Sequence, residues 1–533
     1  MPDANSHAMS DSPEGPPYMP PETFNIADYF LDERVREGRG DRRAILTDAG
    51  SLTYADVQTL ANLYGNLLVE AGVQPEQRVL IALADGAEFV AALFGALKIG
   101  AVAVLLNPHA KPEEIDYFYR YTRGVGLFVG SEMAEGFREV ADGIANSAES
   151  GGPAFAPRHI FVADTLDFQE RLASLSPELR NFPTHRDDAA IWLFSGGTTG
   201  RPKAVMQTHT AFANTTECYA KRVIGYHEDD VTLSVPKLFF GYAAGSNLLF
   251  PFAVGATAAL FPDRCTPEAL FDKIERFRPT VLVNVPTMVN QMLAHPGAAD
   301  VDVSSLRLAT SAGEPLPAEL HRRWDETFLV DLLDGLGTAE MWHIFISNRP
   351  GEVNAGTLGK LVPGFEVQVC DDDGRELPDG EVGWLWVRGN SRALGYWQQM
   401  EKTREAFRGE WYVSGDMIAR DAEGYFTYCG RGDDMLKVKG KWLSPKEVEN
   451  CLLQHPAVHE CAVVGAPDPD GLTSAHAFVV CHEQGLVTEL GEFVKERLAP
   501  YKCPRAITVM DDFPRTHLGK VDRGALRAIA AQA

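Results

Sequence analysis

The run Ser195-Gly196-Gly197-Thr198-Thr199-Gly200-Arg201-Pro202-Lys203 is rich in groups that handle anions. Three glycines let a backbone come close to an anion, and the hydroxyls of Ser195, Thr198 and Thr199 can donate to phosphate oxygens. Lys203 adds a point charge. Pro202 separates glycine from lysine, and Ala204 stands where a Walker loop carries its magnesium-binding Ser or Thr, so this is a different kind of phosphate loop. Taken alone, a Gly/Thr-rich stretch is more often a plain turn. Here the apolar run Ala190–Phe194 leads into it, as a strand would.

Four further motifs follow in order. They are Gly335-Leu336-Gly337-Thr338-Ala339-Glu340, Trp411-Tyr412-Val413-Ser414-Gly415-Asp416, Gly430-Arg431-Gly432-Asp433-Asp434-Met435-Leu436-Lys437, and Pro514-Arg515-Thr516-His517-Leu518-Gly519-Lys520-Val521-Asp522-Arg523. With the first loop they resemble the signature set of the adenylate-forming superfamily, which includes acyl-CoA synthetases, peptide-synthetase adenylation domains and firefly luciferase. The likeness runs from Phe24 to Arg527. It implies that Ser195, Gly196, Gly197, Thr198, Thr199, Gly200 and Lys203 hold ATP. It implies that Glu340 holds the Mg²⁺ that bridges its phosphates, a task for a hard oxygen ligand. By the same resemblance Asp416 accepts from the ribose hydroxyls and Arg431 reaches the ribose from the other side. Lys520 is the catalytic lysine, bridging the substrate carboxylate and the α-phosphate, where a cation offsets two anions that must meet. A lone Lys or Asp is usually a solvated surface charge; the ordered set outweighs that reading. The family threonine of the second motif falls on Ala339, with Thr338 one residue earlier, and its tyrosine falls on Leu336. Asp433 matches the hinge residue. Beside it, Lys439 and Gly440 would face the pantetheine arm of coenzyme A.

Within this superfamily, amino-acid-activating members place an Asp about forty residues after the phosphate loop to hold the substrate ammonium. Val231 to Pro262 contains no Asp or Glu, and a buried ammonium without a counter-charge is costly. The stretches Pro236–Gly245, Met341–Gly351 and Phe24–Phe30 are instead similar to benzoate-CoA ligases. That resemblance places an aryl ring among Gly241, Tyr242, Ala312, Gly337, His343 and Ile344. A flat ring suits a slot of small residues and aromatic edges. Phe239, Phe240 and Tyr242 could equally be core. His343 can donate or accept one hydrogen bond to a ring substituent. Benzoate, 2-aminobenzoate, and hydroxylated or halogenated benzoates all remain open. The leading reading is an aryl-CoA ligase using ATP, Mg²⁺ and coenzyme A. The alternative is a stand-alone adenylation enzyme that loads an acyl carrier protein, and a third reading is a silent binding protein on the same fold.

Positioning these groups requires strands that end at a common edge. Short apolar runs at Val79–Ala84, Ala101–Leu106, Ala190–Phe194, Val231–Val235, Thr257–Phe261, Thr280–Val285, Leu306–Thr310 and Val330–Leu333 alternate with helical patterns such as Pro267–Phe277 and Pro317–Thr327. This predicts parallel sheets covered by helices, with ligands at the carboxyl ends of the strands. After Gly359 the runs shorten between Asp-Gly turns, predicting a small β-subdomain over 360–430. The expected class is α/β: a large N-terminal domain of two parallel α/β sheets plus a β-barrel-like subdomain over 22–432, and a small mobile α+β C-terminal domain over 433–533. Residues 1–21, polar and proline-rich, read as a disordered tail.

The chain has 533 residues, too many for one core, and a formal net charge of −25. So acidic a chain repels nucleic acid, and it must reverse its charge locally to hold phosphates. Eight cysteines without a Cys-x-x-Cys pair read as reduced thiols of a cytoplasmic protein. The apolar run Phe89–Leu106 carries Lys98 and is interrupted by Gly95 and Gly100, which favours a buried helix and strand over a membrane span. The oligomeric state is open, a homodimer included.

Overall fold

The computed structural model describes residues 15–149, 155–197, 200–432, 435–438, 441–467, 473–481, 486–515 and 521–531. Two large sheets make up the N-terminal part. In the first, Arg78–Ala82 lies between Val102–Leu105 and Gly126–Val129, with Ala189–Gly197 and His159–Val162 outside them, all parallel. In the second, a parallel run of Leu332–Gly337, Leu308–Ser311, Val281–Asn284, Val231–Ser234, Thr257–Ala259 and Arg43–Thr47 forms the centre. Both sheets differ from the expectation at their edges, where antiparallel strands are added: Gly200–Thr208 and Gly395–Tyr396 on the first, Gly50–Thr53, Ile344–Ser347 and Lys360–Leu361 on the second. A short hairpin needs no crossover helix, so it adds a strand antiparallel, as at Gly200–Thr208, Gly50–Thr53 and Ile344–Ser347, whereas Gly395–Tyr396 reaches its partner from far along the chain.

The β-subdomain spans Phe365–Arg431. Among the described residues it is an open five-stranded antiparallel sheet, not a closed barrel, with Phe365–Cys370 and Phe407–Arg408 at the ends of its main path. The smaller C-terminal part carries a three-stranded sheet, Val458–Pro467, Thr473–Cys481 and Ala506–Met510, beside the helices Pro445–Leu452, Val487–Arg497 and Arg523–Ala530.

Helix Ala87–Lys98 shows why the apolar run is a core element. Gly95 does not break it. A Cβ there would lie 2.8 Å from the Gly65 nitrogen and 2.9 Å from the Ala61 carbonyl oxygen, so glycine lets the helix press against Tyr54–Glu70. Gly100, at φ +74°, turns the chain out of the helix in the left-handed region. Lys98 is 1% exposed, and its ammonium donates to both Asp32 oxygens at 2.6 Å. Gln58 and Asn181 also donate to that carboxylate. Among the described residues no helix is long and apolar enough to cross a membrane.

Residues 15–21 are not a loose tail. The Pro16 carbonyl accepts from Arg222, Tyr18 donates its N–H to Asn214 at 2.9 Å and accepts from Asn390, and the Pro20 carbonyl accepts from Arg186. Prolines hold this backbone extended and leave its carbonyls free for distant donors.

Lys98→Met strands the Asp32 charge in the core and is expected to lower unfolding free energy by about 3–5 kcal/mol, measured by urea denaturation. Pairing it with Asp32→Asn is expected to recover part of that loss.

Candidate functional site

The glycine-rich stretch after Phe194 is flanked by a hairpin's two strands. Strands Ala189–Gly197 and Gly200–Thr208 run antiparallel, and Lys203 stands opposite Ser195. Thr198 and Thr199, between them, lie outside the described residues. The hairpin opens on a cavity of about 600 Å³ lined by Ser195, Gly196, Arg201, Lys203, Thr338, Glu340, Tyr396, Lys402, Tyr412, Ser414, Asp416 and Arg431, among others. The Ser195 hydroxyl is buried without a partner. Lys203 is half-buried, its Nζ 4.1 Å from the Tyr396 ring centroid. Burial lowers its pKa, while the nearby Glu340 charge pulls the other way.

Glu340 sits on the short 3-10 turn Ala339–Met341, which Thr338 caps by accepting the Met341 N–H. Its carboxylate is 6% exposed and accepts from the Tyr396 hydroxyl at 2.8 Å. That phenol is pushed well above its usual range by burial and by the Glu340 charge, so it remains a donor. Asp416 and Arg431 are register partners on neighbouring strands and form an ion pair at 3.3 Å. Both residues line the same cavity. Ser414 and Tyr428 also donate to the Asp416 carboxylate, which orients its oxygens.

A second cavity of about 140 Å³ adjoins the first. All six residues expected around the ring line it: Gly241, Tyr242, Ala312, Gly337, His343 and Ile344. Thr338 lines both cavities. Among the described residues, none that lines the slot is acidic or basic apart from His343. Its size is close to the roughly 150 Å³ cavity that accepts a benzene ring in an apolar core. Gly337 is obligatory in this wall, because a Cβ there would meet the His343 carbonyl oxygen at 2.5 Å and the Ile344 nitrogen at 2.8 Å. The Tyr242 hydroxyl is committed to Thr310 at 2.7 Å.

The hydrogen bonds of His343 narrow the expectation. Its Nε2 faces the Tyr242 carbonyl at 3.1 Å and the Ser246 hydroxyl at 3.2 Å. A carbonyl only accepts, so Nε2 carries the hydrogen and Nδ1 is left as an acceptor, buried and without a partner. The ring can accept from a substituent but has no free donor.

The comparisons agree with this geometry. Residues 31–397 match the model of the AMP-binding enzyme family, and residues 447–520 match the AMP-binding enzyme C-terminal domain. This chain belongs to the AMP-binding enzymes. It is 40% identical to a benzoate–CoA ligase of Thauera aromatica over 98% of this chain and 99% of that one. It is 39% identical to a 4-hydroxybenzoate–CoA/benzoate–CoA ligase of Rhodopseudomonas palustris, covering 96% and 95%. Among solved structures it resembles the anthranilate CoA ligase AuaEII in complex with anthranoyl-AMP, with a TM-score of 0.88 and 38% identity over 96% of this chain and 98% of that one.

Residues outside the five motifs also line the two cavities of this AMP-binding enzyme. Tyr396 and Lys402 line the phosphate cleft, and Phe239 and Trp342 line the slot. Trp342 adopts φ +68°, ψ −54°, a conformation rare for a bulky side chain and characteristic of functional turns. The sequence signal for it was only its place in Met341-Trp342-His343. Asp433, Lys439, Gly440 and Lys520 lie outside the described residues.

Burial pushes the His343 imidazole down to about 4, against the pull of the Tyr242 carbonyl. The unfolded chain therefore takes up this proton first, and stability is lost as pH falls from about 6.5 towards 4. The expected loss between pH 7.5 and pH 5 from this one group is about 2 kcal/mol. Urea unfolding at both pH values checks it: His343→Gln, whose amide reproduces Nε2–H, should lack that increment.

Proposed function

We propose that this AMP-binding enzyme is an aryl-CoA ligase acting on benzoate or a substituted benzoate such as 2-aminobenzoate. The observation that carries this reading is the junction at Thr338 of an uncharged, ring-sized slot with a hydroxyl- and cation-lined cleft. An aromatic carboxylic acid placed in the slot presents its carboxylate at that junction. The names of the relatives support the same substrate class.

In the first half-reaction a carboxylate oxygen attacks the α-phosphorus of ATP, and pyrophosphate leaves with the bridging oxygen. Ser195 and Lys203 are placed to take phosphate oxygens, with Thr198 and Thr199 completing the loop. Asp416, oriented by Ser414 and Tyr428, accepts from the ribose. Lys520 brings a cation to the two anions that must meet. Thr338, which spends its oxygen lone pair on Met341 N–H, still has a hydroxyl hydrogen to donate at the junction, where Ala339 offers none. Mg²⁺ keeps several waters and needs only one or two carboxylates plus substrate phosphates. Glu340, with Oε1 held by Tyr396, fits that role. Bound there, the ion would neutralise phosphate charge. In the second half-reaction the coenzyme A sulfur attacks the acyl carbon, the thiol proton is lost, and AMP leaves.

Asp433 is the hinge between an adenylating domain, 22–432, and a C-terminal domain, 433–533, that alternates between presenting Lys520 and presenting Lys439-Gly440 to the pantetheine arm. The protein works in the cytoplasm.

Pyrophosphate release should be measured with benzoate, 2-aminobenzoate, hydroxybenzoates, a short fatty acid and an aromatic amino acid, with and without coenzyme A. Release with a benzoate and a thioester product are expected. Release that coenzyme A does not sustain would point to a carrier protein as acceptor, and release with only the fatty or amino acid would refute the slot. Lys520→Ala should slow adenylation at least about a hundredfold, the scale for one preorganised electrostatic contact. Thioester formation from supplied aryl-AMP should change far less, and equal damage to both halves would refute the hinge.

A further inference from the structure

The wall of the slot is built from an irregular segment, tied locally by the Phe240 N–H to the Lys237 carbonyl at 2.9 Å and by the Ser234 hydroxyl to the Pro236 carbonyl at 2.7 Å. After strand Val231–Ser234 the chain crosses Pro236, Lys237, Leu238, Phe239 and Phe240 before helix Gly241–Ala244 begins. Phe239, Phe240 and Gly241 line the slot. Leu238 buries its side chain fully, and its N–H donates to Asp85 Oδ1 at 2.9 Å. Asp85 lies in the bend beyond a strand of the other sheet. It follows strand Arg78–Ala82, 153 residues earlier in the chain, and is 5% exposed. Burial raises the Asp85 pKa to about 6, opposed by the nearby Lys237 charge and the Leu238 N–H; the Lys237 Nζ itself donates to the Phe261 carbonyl at 2.7 Å. On its far side Asp85 borders a separate cleft, shared with Glu88 and Asp164.

We propose that Asp85 is a positioning residue for the aryl acid: by holding the Leu238 N–H, it locks the Phe239–Gly241 wall of the slot at ring width. The inference rests on the reading of the slot as the acyl site. A backbone N–H this deeply buried must find an acceptor or distort the segment that carries it. With the acceptor removed, the segment that sets the slot's width is free to shift. Displacement of a binding wall by about 1 Å is enough to cost a large factor in productive binding. Asp85 does not line the phosphate cleft, so nucleotide binding is insulated from it.

The test compares Asp85→Ala and Asp85→Asn by steady-state pyrophosphate release, varying benzoate and ATP separately. Asp85→Ala is expected to raise KM for benzoate about tenfold and leave KM for ATP within about twofold. It should also narrow the preference among benzoate and its ring-substituted analogues. Asp85→Asn, whose amide oxygen still accepts the Leu238 N–H, should restore most of the benzoate KM. If Asp85→Ala does not fold, Asp85→Ser takes its place, since its hydroxyl is one bond short. Unchanged benzoate KM in the truncated variant, no rescue by Asn, or equal movement of both KM values overturns the proposal. Gly241→Val serves as the control, because a Cβ there already meets Leu193 Cδ1 at 2.8 Å. If it blocks benzoate while Asp85→Ala does not affect it, the Asp85 proposal alone fails. If it leaves benzoate KM unchanged, the slot reading fails and this proposal with it.

Discussion

At Gly337–Thr338 two environments of opposite character must touch. One side is a polar cleft with cations, hydroxyls and carboxylates; the other is a slot of aromatic and small residues. Each half of an acyl-adenylate belongs to only one of them, so the mixed anhydride linkage can form only where they meet. The backbone there leaves no freedom. Gly337 packs against the His343 carbonyl so closely that any side chain would separate the two strands. Thr338 is pinned by its cap on Met341, and Glu340 by Tyr396. A small displacement of this turn would shift the walls of both cavities together, because Gly337, Thr338 and Glu340 lie within four consecutive residues.

Charge makes the same demand at a larger scale. A chain with a net charge of −25 meets ATP, an anion, and must do so without general electrostatic attraction. The cleft solves this locally. Its lining holds the cations Arg201, Lys203, Lys402, Arg408 and Arg431 against the carboxylates Glu340, Asp371, Asp372, Glu405 and Asp416, so it is near neutral within an acidic protein. The cations are not equivalent. Arg431 is committed to Asp416, whereas Lys203 rests on the Tyr396 face, a contact that leaves its hydrogens available. Partial burial of Lys203 sharpens its interaction with a phosphate, since both would be partly out of water.

Much of this was legible from sequence because the chemistry is carried by short motifs whose internal spacing fixes local geometry. Ser195 to Lys203, Thr338 to Glu340 and Ser414 to Asp416 each come from one stretch of strand or turn, and they reach the cleft together. The six slot residues, drawn from four distant stretches, were reached only through the family likeness. What was not legible depends on partners far along the chain. The donor capacity of His343 is removed by Tyr242, 101 residues away. Arg431 pairs with Asp416 through strand register, which no periodicity reveals. Tyr396 becomes part of the site only because strand Gly395–Tyr396 pairs with Met206 and Val205, beside the phosphate hairpin. The proline-rich start looked unstructured because its anchors, Asn214, Arg222 and Asn390, lie two hundred or more residues away or nearly so.

Unmet hydrogen bonds occur at several places among the described residues, and three of them fall on side chains that line the two cavities. Buried polar groups in a folded protein are almost always satisfied, and one left bare costs about 1–3 kcal/mol. Around the junction the fold satisfies the groups that shape it: Glu340 Oε1, the Tyr242 hydroxyl, His343 Nε2 and the Asp416 carboxylate. It leaves bare Ser195 Oγ beside the cleft, and Trp342 Nε1 and His343 Nδ1 on side chains that line the slot. The first group is what the backbone needs in order to hold its shape without substrate. The second is capacity that folding leaves unused, and Trp342 is kept there at a strained φ by the same turn that carries Glu340. A ligand group that reached those atoms would meet partners already held in place, which is how a preformed site favours its ligand without first ordering itself.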